Sequence, residues 1–175
     1  MPLNFIANTA VRSASGQTLP VIDPADGQTY DTIERSNAAD VDAAVQAARQ
    51  CFEGAWGRLT AAERGRLLMK LSAKVAEHAD ELAAIEQRDC GKPTKQAKAD
   101  ALALVRYFEF YAGAGDKLHG DTIPYLDGYS VLTWREPHGV TGHVIPWNYP
   151  MQIFGRSVGG ALAAGNVCVV KPSED

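Results

Sequence analysis

The chain has 175 residues, of which 46% are hydrophobic and 22% charged, a composition typical of a folded soluble protein. Its net charge of −4 argues against nucleic acid as the main partner, because phosphate binding needs a concentrated positive field. No run is apolar enough to span a membrane, and the three cysteines lack metal or disulfide spacing. The first residues do not show the pattern of a leader segment, so we expect a cytoplasmic protein with no membrane partner.

The first predicted elements are a β-hairpin and a helix. Two apolar-rich runs at 18–22 and 28–33 flank Asp-Pro-Ala-Asp-Gly at 23–27, whose Asp-Pro and Asp-Gly pairs favour a turn. Asn37 stands three residues before Asp40, the arrangement of a capping box at which a helix begins. Its inward face would carry Val41, Val45, Ala48 and Phe52, and Gly54 would end it.

Three more helices are predicted before residue 113. Thr60 and Glu63 form a second capping box, followed by a buried stripe of Leu67, Leu68, Leu71 and Val75. Leu82 and Ile85 indicate a short third helix that stops at Cys-Gly-Lys-Pro, 90–93. A fourth is expected over about 95–111, with inward residues Ala97, Ala101, Leu104, Val105 and Phe108.

The apolar period then changes from 3.6 to 2, which indicates strands. Residues 129–136 are rich in β-formers, and 139–145 and 166–171 read as strands on either side of a helix over 151–164. A strand, a helix and a strand over about thirty residues make a βαβ unit with parallel strands. The sequence therefore predicts an α/β fold.

Three motifs near the end of the chain are specific in their order and spacing. They are Glu-Pro-His-Gly-Val-Thr-Gly-His-Val-Ile-Pro-Trp-Asn-Tyr-Pro at 136–150, Ala-Leu-Ala-Ala-Gly-Asn at 161–166 and Lys-Pro-Ser-Glu at 171–174. Gly-Lys-Pro at 91–93 and the aromatic segment 107–113 agree with them. Together they closely resemble the aldehyde dehydrogenase superfamily, and the resemblance covers the whole chain.

The resemblance implies the N-terminal portion of the aldehyde dehydrogenase fold, with helices and a Rossmann-like parallel sheet. Residues 1–118 would form the N-terminal hairpin and helices, 119–137 an oligomerisation-type strand segment, and 138–175 the start of the dinucleotide-binding βαβ unit. The strand at 129–136 would lack its partner strand within this chain. The parent enzyme would be a homodimer or homotetramer.

The resemblance also implies an activity, in which an aldehyde is oxidised to a carboxylic acid and NAD or NADP accepts the hydride. Asn148 would donate its side-chain amide to the aldehyde oxygen as that oxygen becomes an oxyanion. Lys171 and Glu174 would hold the adenosine ribose hydroxyls, and we favour NAD because Glu174 would repel a 2′-phosphate. The remaining candidate nucleotide contacts are Ile145, Pro146, Trp147 and Ser173.

Elementary chemistry supports these roles, although each residue has a simpler alternative. Lys171 lies at the carboxyl end of a predicted parallel strand, where open α/β sheets bind ligands. A cation and a carboxylate three residues apart can donate to and accept from paired hydroxyls. Taken alone, however, Asn148 would more often be a turn former, and Lys171 a solvated strand end.

A monovalent cation site is a weaker implication. Some family members hold such an ion through backbone carbonyls at positions matching Val21 and Ile22 and a carboxylate matching Asp89. The alternative is that Asp89 caps a helix end or pairs with Arg88.

The family's nucleophilic cysteine and general-base glutamate lie beyond residue 175. Cys168 is expected in a buried strand and Cys90 in a polar loop, and neither stands in the setting of that nucleophile. We therefore expect the chain to be inactive alone; the alternative is a truncated subunit that associates with full-length relatives. The sequence does not identify the aldehyde, although Tyr107, Tyr111 and Met151 would give its tunnel an apolar entrance.

Overall fold

The structure is a computed structural model that describes residues 2–174, and it begins with two antiparallel hairpins. Strand β1 (Asn4–Ile6) pairs with β2 (Thr9–Val11), and β3 (Thr18–Ile22) pairs with β4 (Thr29–Glu34). The second hairpin confirms the prediction. The first was missed because its turn residues, Ala7 and Asn8, adopt positive φ without the glycine that usually marks such a turn.

Four helices follow, and their ends agree with the predicted capping signals. They are α1 (Ala38–Glu53), α2 (Ala61–Glu77), α3 (Ala79–Cys90) and α4 (Thr94–Ala112). Asn37 with Asp40 and Thr60 with Glu63 form complete capping boxes, because each cap side chain and each acidic side chain bonds the other's backbone N–H. Gly91 ends α3 in the left-handed conformation, at φ 65°.

The hydrophobic core lies between α2, α3, α4 and the crossover helix α5 (Pro150–Ala163). The inward face predicted for α4 is confirmed, since Ala97, Ala101, Leu104 and Phe108 are all buried. Of the four residues predicted to be buried in α2, Leu68 and Val75 are buried, which confirms half of that prediction. The other two, Leu67 and Leu71, lie on the side of the helix, and for them the prediction is wrong. The exposed members of the predicted apolar faces are Val41, Leu67, Leu71 and Ile85.

The segment predicted as one strand at 129–136 is shorter and is paired within the chain. Strand β6 (Val131–Leu132) lies antiparallel to β5 (Thr122–Ile123), and the Thr133 N–H donates to the Asp121 carbonyl 2.9 Å away. The expectation of a strand without a partner in this chain is therefore wrong. Its apolar side chains nevertheless stay exposed, Leu132 at 64% and Trp134 at 82%.

The βαβ unit is confirmed. Strand β7 (Val140–Val144) pairs in parallel with β8 (Val167–Lys171), in register from Val140 opposite Val167 to Val144 opposite Lys171. Helices α1 and α5 both pack on this two-stranded sheet. No helix within residues 2–174 is long and apolar enough to cross a membrane.

Glycines in α5 allow it to approach α4 closely. A Cβ at Gly155 would lie 2.9 Å from Leu104 Cδ1, and one at Gly159 would lie 2.8 Å from Tyr111 Cδ2. Tyr111 is thus packed against α5, and Met151 belongs to the core. These residues form part of a helix interface, and the apolar entrance expected around them stays a prediction. The close packing also fixes the start of α5, and with it the loop that precedes this helix.

Candidate functional site

The loop between β7 and α5, residues 145–149, carries the candidate oxyanion donor. It is anchored at its start, where Ile145 is 4% exposed and its N–H donates to the Lys171 carbonyl 2.9 Å away. Asn148 is exposed, and its side chain makes no hydrogen bond to another residue in 2–174. The Asn148 amide is therefore open to solvent at the start of the crossover helix.

Two of the predicted nucleotide contacts meet at the end of β8. The Lys171 ammonium forms an ion pair with Glu174, and both side chains are more than half exposed. This bond from Lys171 lowers the pKa of the Glu174 carboxyl. Because Val144 stands opposite Lys171 in the sheet, loop 145–149 and the Lys171–Glu174 pair lie at the same sheet end. Of the other candidate contacts, Trp147 is 57% exposed, Pro146 is exposed and Ser173 is half-buried.

A buried ionic group lies behind this loop; the Gly-Lys-Pro motif contains its lysine, Lys92, but the sequence analysis did not predict the carboxylates that pair with it. The Lys92 ammonium is 2.5 Å from Asp100 Oδ2 and 3.1 Å from Glu86 Oε1. The other Asp100 oxygen accepts hydrogen bonds of 2.7 Å from the side-chain amides of Gln96 and Gln152. We call these five residues the Lys92 cluster. The ammonium also lies 4.3 Å from the centre of the Tyr149 ring.

Burial and hydrogen bonding act differently on the two carboxylates of the Lys92 cluster. Asp100 is fully buried, which opposes its ionisation, but the bonds from Lys92, Gln152 and Gln96 outweigh burial and lower its pKa. Burial raises the pKa of Glu86, because the bonds from Lys92 and from the Met151 N–H only partly compensate for it. Asp100 is therefore the firmly ionised partner of Lys92.

Comparison with known proteins decides the family. A model of the aldehyde dehydrogenase family matches residues 10–175. The chain belongs to the aldehyde dehydrogenase family. It is 45% identical to the mitochondrial aldehyde dehydrogenase family 2 member B4 of Arabidopsis thaliana, over 97% of this chain and 32% of that relative.

Solved structures of aldehyde dehydrogenases share the fold. A Burkholderia cenocepacia protein assigned as an aldehyde dehydrogenase is 66% identical and superposes with a TM-score of 0.96, over 98% of this chain and 36% of that one. PnpE, solved in complex with nicotinamide adenine dinucleotide, is 38% identical with a TM-score of 0.93, over 98% and 36%. The chain thus spans about a third of the length of the relatives it matches.

Two of the cysteines are unsuited to serve as the nucleophile of an aldehyde dehydrogenase. Cys90 is the half-buried last residue of α3, not a loop residue as predicted, and its thiol donates to the Trp147 carbonyl 3.1 Å away. Burial, with nearby Asp89, raises the Cys90 pKa to about 11, so the thiol stays protonated at neutral pH. Burial also raises the pKa of Cys168, which is half-buried in β8.

The residues suggested for a cation lie where the end of α3 meets the β3–β4 hairpin. The Tyr30 hydroxyl donates to Asp89 over 3.2 Å, and Arg88 pairs with Asp23 at 3.3 Å while stacking 4.0 Å above the Tyr30 ring. The suggested Arg88–Asp89 pair is therefore wrong. Val21 and Ile22 end β3. Residues 2–174 contain no group of three or more His, Cys, Asp or Glu side chains placed to hold a metal. A monovalent ion held by carbonyls stays a prediction.

Proposed function

We propose that this chain forms the N-terminal part of an enzyme that oxidises an aldehyde to a carboxylic acid with NAD. Family membership and the length of the relatives support this proposal. The observation that carries it is the exposed Asn148 amide, free of hydrogen bonds to residues 2–174, on a loop held by β7, β8 and α5. A neutral amide stabilises a developing oxyanion without exchanging a proton of its own. One such donor contributes about 3–4 kcal/mol to the transition state.

The donor set at the end of β8 suits the ribose of NAD. The Lys171 ammonium donates and the Glu174 carboxylate accepts, so together they can hold two neighbouring hydroxyls. The carboxylate would repel a phosphate at the 2′ position, which favours NAD over NADP. Bound there, NAD supplies the hydride acceptor, and the complex of PnpE with nicotinamide adenine dinucleotide supports NAD use in this family. Ile145, Pro146, Trp147 and Ser173 complete the proposed nucleotide contacts.

The decisive experiment for Asn148 uses the protein expressed from its complete reading frame. Asn148→Ala should lower kcat by roughly 10²–10³ and change the NAD affinity much less. Gln50→Ala, an exposed change on α1, should keep full turnover. Unchanged kcat in the Asn148 variant, under conditions where chemistry limits turnover, would mean that Asn148 is not the oxyanion donor.

Titration with NAD tests the Lys171–Glu174 pair. Lys171→Ala and Glu174→Ala should each weaken NAD binding, and their effects should be non-additive because both contact one ribose. Lys74 and Glu77 on α2 form an exposed pair with the same spacing, and Lys74→Ala is the matched control. Strictly additive losses, or no loss, would remove the pair from the proposed site.

We further propose that residues 1–175 alone do not oxidise aldehydes, because the family's cysteine nucleophile is expected beyond them and no thiohemiacetal would form without it. Saturable NADH production by purified 1–175 would contradict this. Sequencing past codon 175 separates the enzyme from the truncated-subunit alternative: an open frame with a cysteine nucleophile supports the enzyme, and a stop codon the truncated subunit. We propose a cytoplasmic homodimer or homotetramer for the complete enzyme and keep the Val21, Ile22 and Asp89 cation site as part of the proposal.

A further inference from the structure

Asn148 is flanked on both sides by residues that are tied to the junction between α3 and α4. On one side, the Trp147 carbonyl accepts a hydrogen bond from the Cys90 thiol. On the other side, the Tyr149 ring lies over the Lys92 ammonium. Cys90 and Lys92 are separated by Gly91 alone, so one short turn holds both neighbours of Asn148.

The same junction also holds the first turn of α5, the helix that follows the loop. The Gln152 side-chain amide donates to Asp100 over 2.7 Å, and Asp100 also forms the ion pair with the Lys92 ammonium. The loop is thereby tied to the Lys92 cluster through its flanking residue Tyr149 and through the helix that continues from it. Asn148 itself makes no such tie, which leaves its amide available for a ligand while its backbone is held.

These ties are stiff because the charges that make them are buried. The side chains of Lys92, Glu86 and Asp100 are 11%, 2% and 0% exposed. Moving the ammonium would leave a carboxylate buried without its partner, which is far more costly than moving a solvated pair. Lys92 therefore has little freedom to follow a displaced loop, and the loop has little freedom to leave Lys92.

We propose that Lys92 is a positioning residue that sets the location of the Asn148 amide through Tyr149 and through Asp100 with Gln152. The proposal rests on the oxyanion role proposed above for Asn148. Lys92 lies behind the loop and acts through its neighbours, without a contact of its own to the aldehyde. An oxyanion donor works only when it is held at the place where charge develops, and a displacement of about 1 Å can cost 10²-fold in rate.

A double-mutant cycle in the protein from the complete reading frame tests this role. Lys92→Met keeps much of the side chain but removes the charge, and it should lower kcat by roughly ten- to a hundredfold with little change in the NAD affinity. In an Asn148→Ala background the same change should cost little more, because the amide that Lys92 positions is already gone. Lys98→Met is the matched control, since Lys98 lies on α4 in an exposed pair with Asp80.

A second measurement follows the loop without activity. With 5-fluorotryptophan, the ¹⁹F resonance of Trp147 should shift or broaden in Lys92→Met, while those of Trp56 and Trp134 stay unchanged and report an intact fold. If Lys92→Met does not fold, Gln152→Leu removes only the tie between α5 and Asp100 and should move the same resonance.

The outcomes separate this inference from the proposed function. Additive losses in the cycle, or a Trp147 resonance that does not respond in a folded variant, would overturn the positioning role of Lys92. If Asn148→Ala does not lower turnover, the proposed oxyanion role fails, and the link between Lys92 and the loop is then decided by the fluorine spectrum alone.

Discussion

Replacing Asp100 by asparagine should show how strongly the Lys92 cluster holds this part of the fold. Asp100 is fully buried and accepts three donors, two at Oδ1 and one at Oδ2. Asparagine has the same shape but only one accepting oxygen. If the asparagine oxygen keeps its hydrogen bonds with Gln96 and Gln152, the asparagine NH₂ group faces the Lys92 ammonium. Two hydrogen-bond donors then face each other, and the negative charge that Lys92 paired with is gone.

The size of the effect follows from burial. Removing one partner of a buried ion pair costs about 3–5 kcal/mol, because the other charge is left uncompensated. Lys92 still has Glu86 at 3.1 Å, so we expect a loss of about 2–4 kcal/mol in the free energy of unfolding. A slope of about 2 kcal/mol per molar urea converts this loss into a midpoint lowered by about 1–2 M.

Urea unfolding measures this loss, with all variants at one protein concentration because association would shift the midpoints. Asp80→Asn is the matched control: Asp80 also pairs with a lysine, but its side chain is 82% exposed. That change should cost no more than about 1 kcal/mol. Equal midpoints for the two variants, with an unchanged slope, would refute the view that the buried pair holds α4 to the α3–α4 turn.

Three further predictions follow from burial and close contacts. Gly65→Ala in α2 should destabilise the chain by about 1–3 kcal/mol, although Gly→Ala inside a helix normally stabilises, because the new Cβ would lie 2.4 Å from the Ala112 carbonyl oxygen. His143 is 9% exposed, and burial lowers its pKa from 6.5. Because the unfolded chain binds the proton more readily, the free energy of unfolding should fall as pH drops from about 7 to 5. Purified 1–175 should self-associate in light scattering through the exposed apolar side chains around β6, and Trp134→Lys should weaken this association.

The first two of these predictions have matched control variants, and the third has a single refuting outcome. Ala73→Gly, an exposed change in the same helix, should cost about 0.5–1 kcal/mol, so a stabilising Gly65→Ala would show that α2 and α4 simply move apart. His119→Gln, an exposed change, should keep the acid-dependent loss of stability that His143→Gln removes. A monodisperse wild-type monomer would contradict the association prediction.

Local sequence signals predicted most elements because their causes are local. The capping boxes at Asn37 and Thr60 and the left-handed end at Gly91 depend on residues within one turn of helix. The apolar pattern of 166–171 likewise predicted β8 and its parallel pairing with β7. These features needed no knowledge of what packs against them.

Contacts between distant segments could not be predicted in this way. Asp40 was expected only to cap α1, but it also accepts hydrogen bonds from Ser13 Oγ and the Ala14 N–H, at 2.7 and 2.8 Å, and so ties the N-terminal segment to α1. His143 gave no spacing signal, yet its ring contacts Ser157 Oγ, on α5, at 2.6 Å. In each case the partner is fixed by tertiary packing.

In the candidate site, too, local motifs could be predicted from the sequence and contacts between distant segments could not. Motif resemblance located Asn148, Lys171 and Glu174, and it included Lys92 in Gly-Lys-Pro at 91–93 without a role, but nothing in the sequence linked Lys92 to Asp100 or to the loop that carries Asn148. Buried ion pairs are a poor way to gain stability, because an apolar set of the same volume often does as well or better. Helix α4 uses such an apolar set elsewhere, with Ala97, Ala101 and Leu104 in the core. The one fully buried carboxylate of α4, Asp100, lies behind the loop that carries Asn148. The need to fix that loop therefore explains this carboxylate better than a gain in stability does.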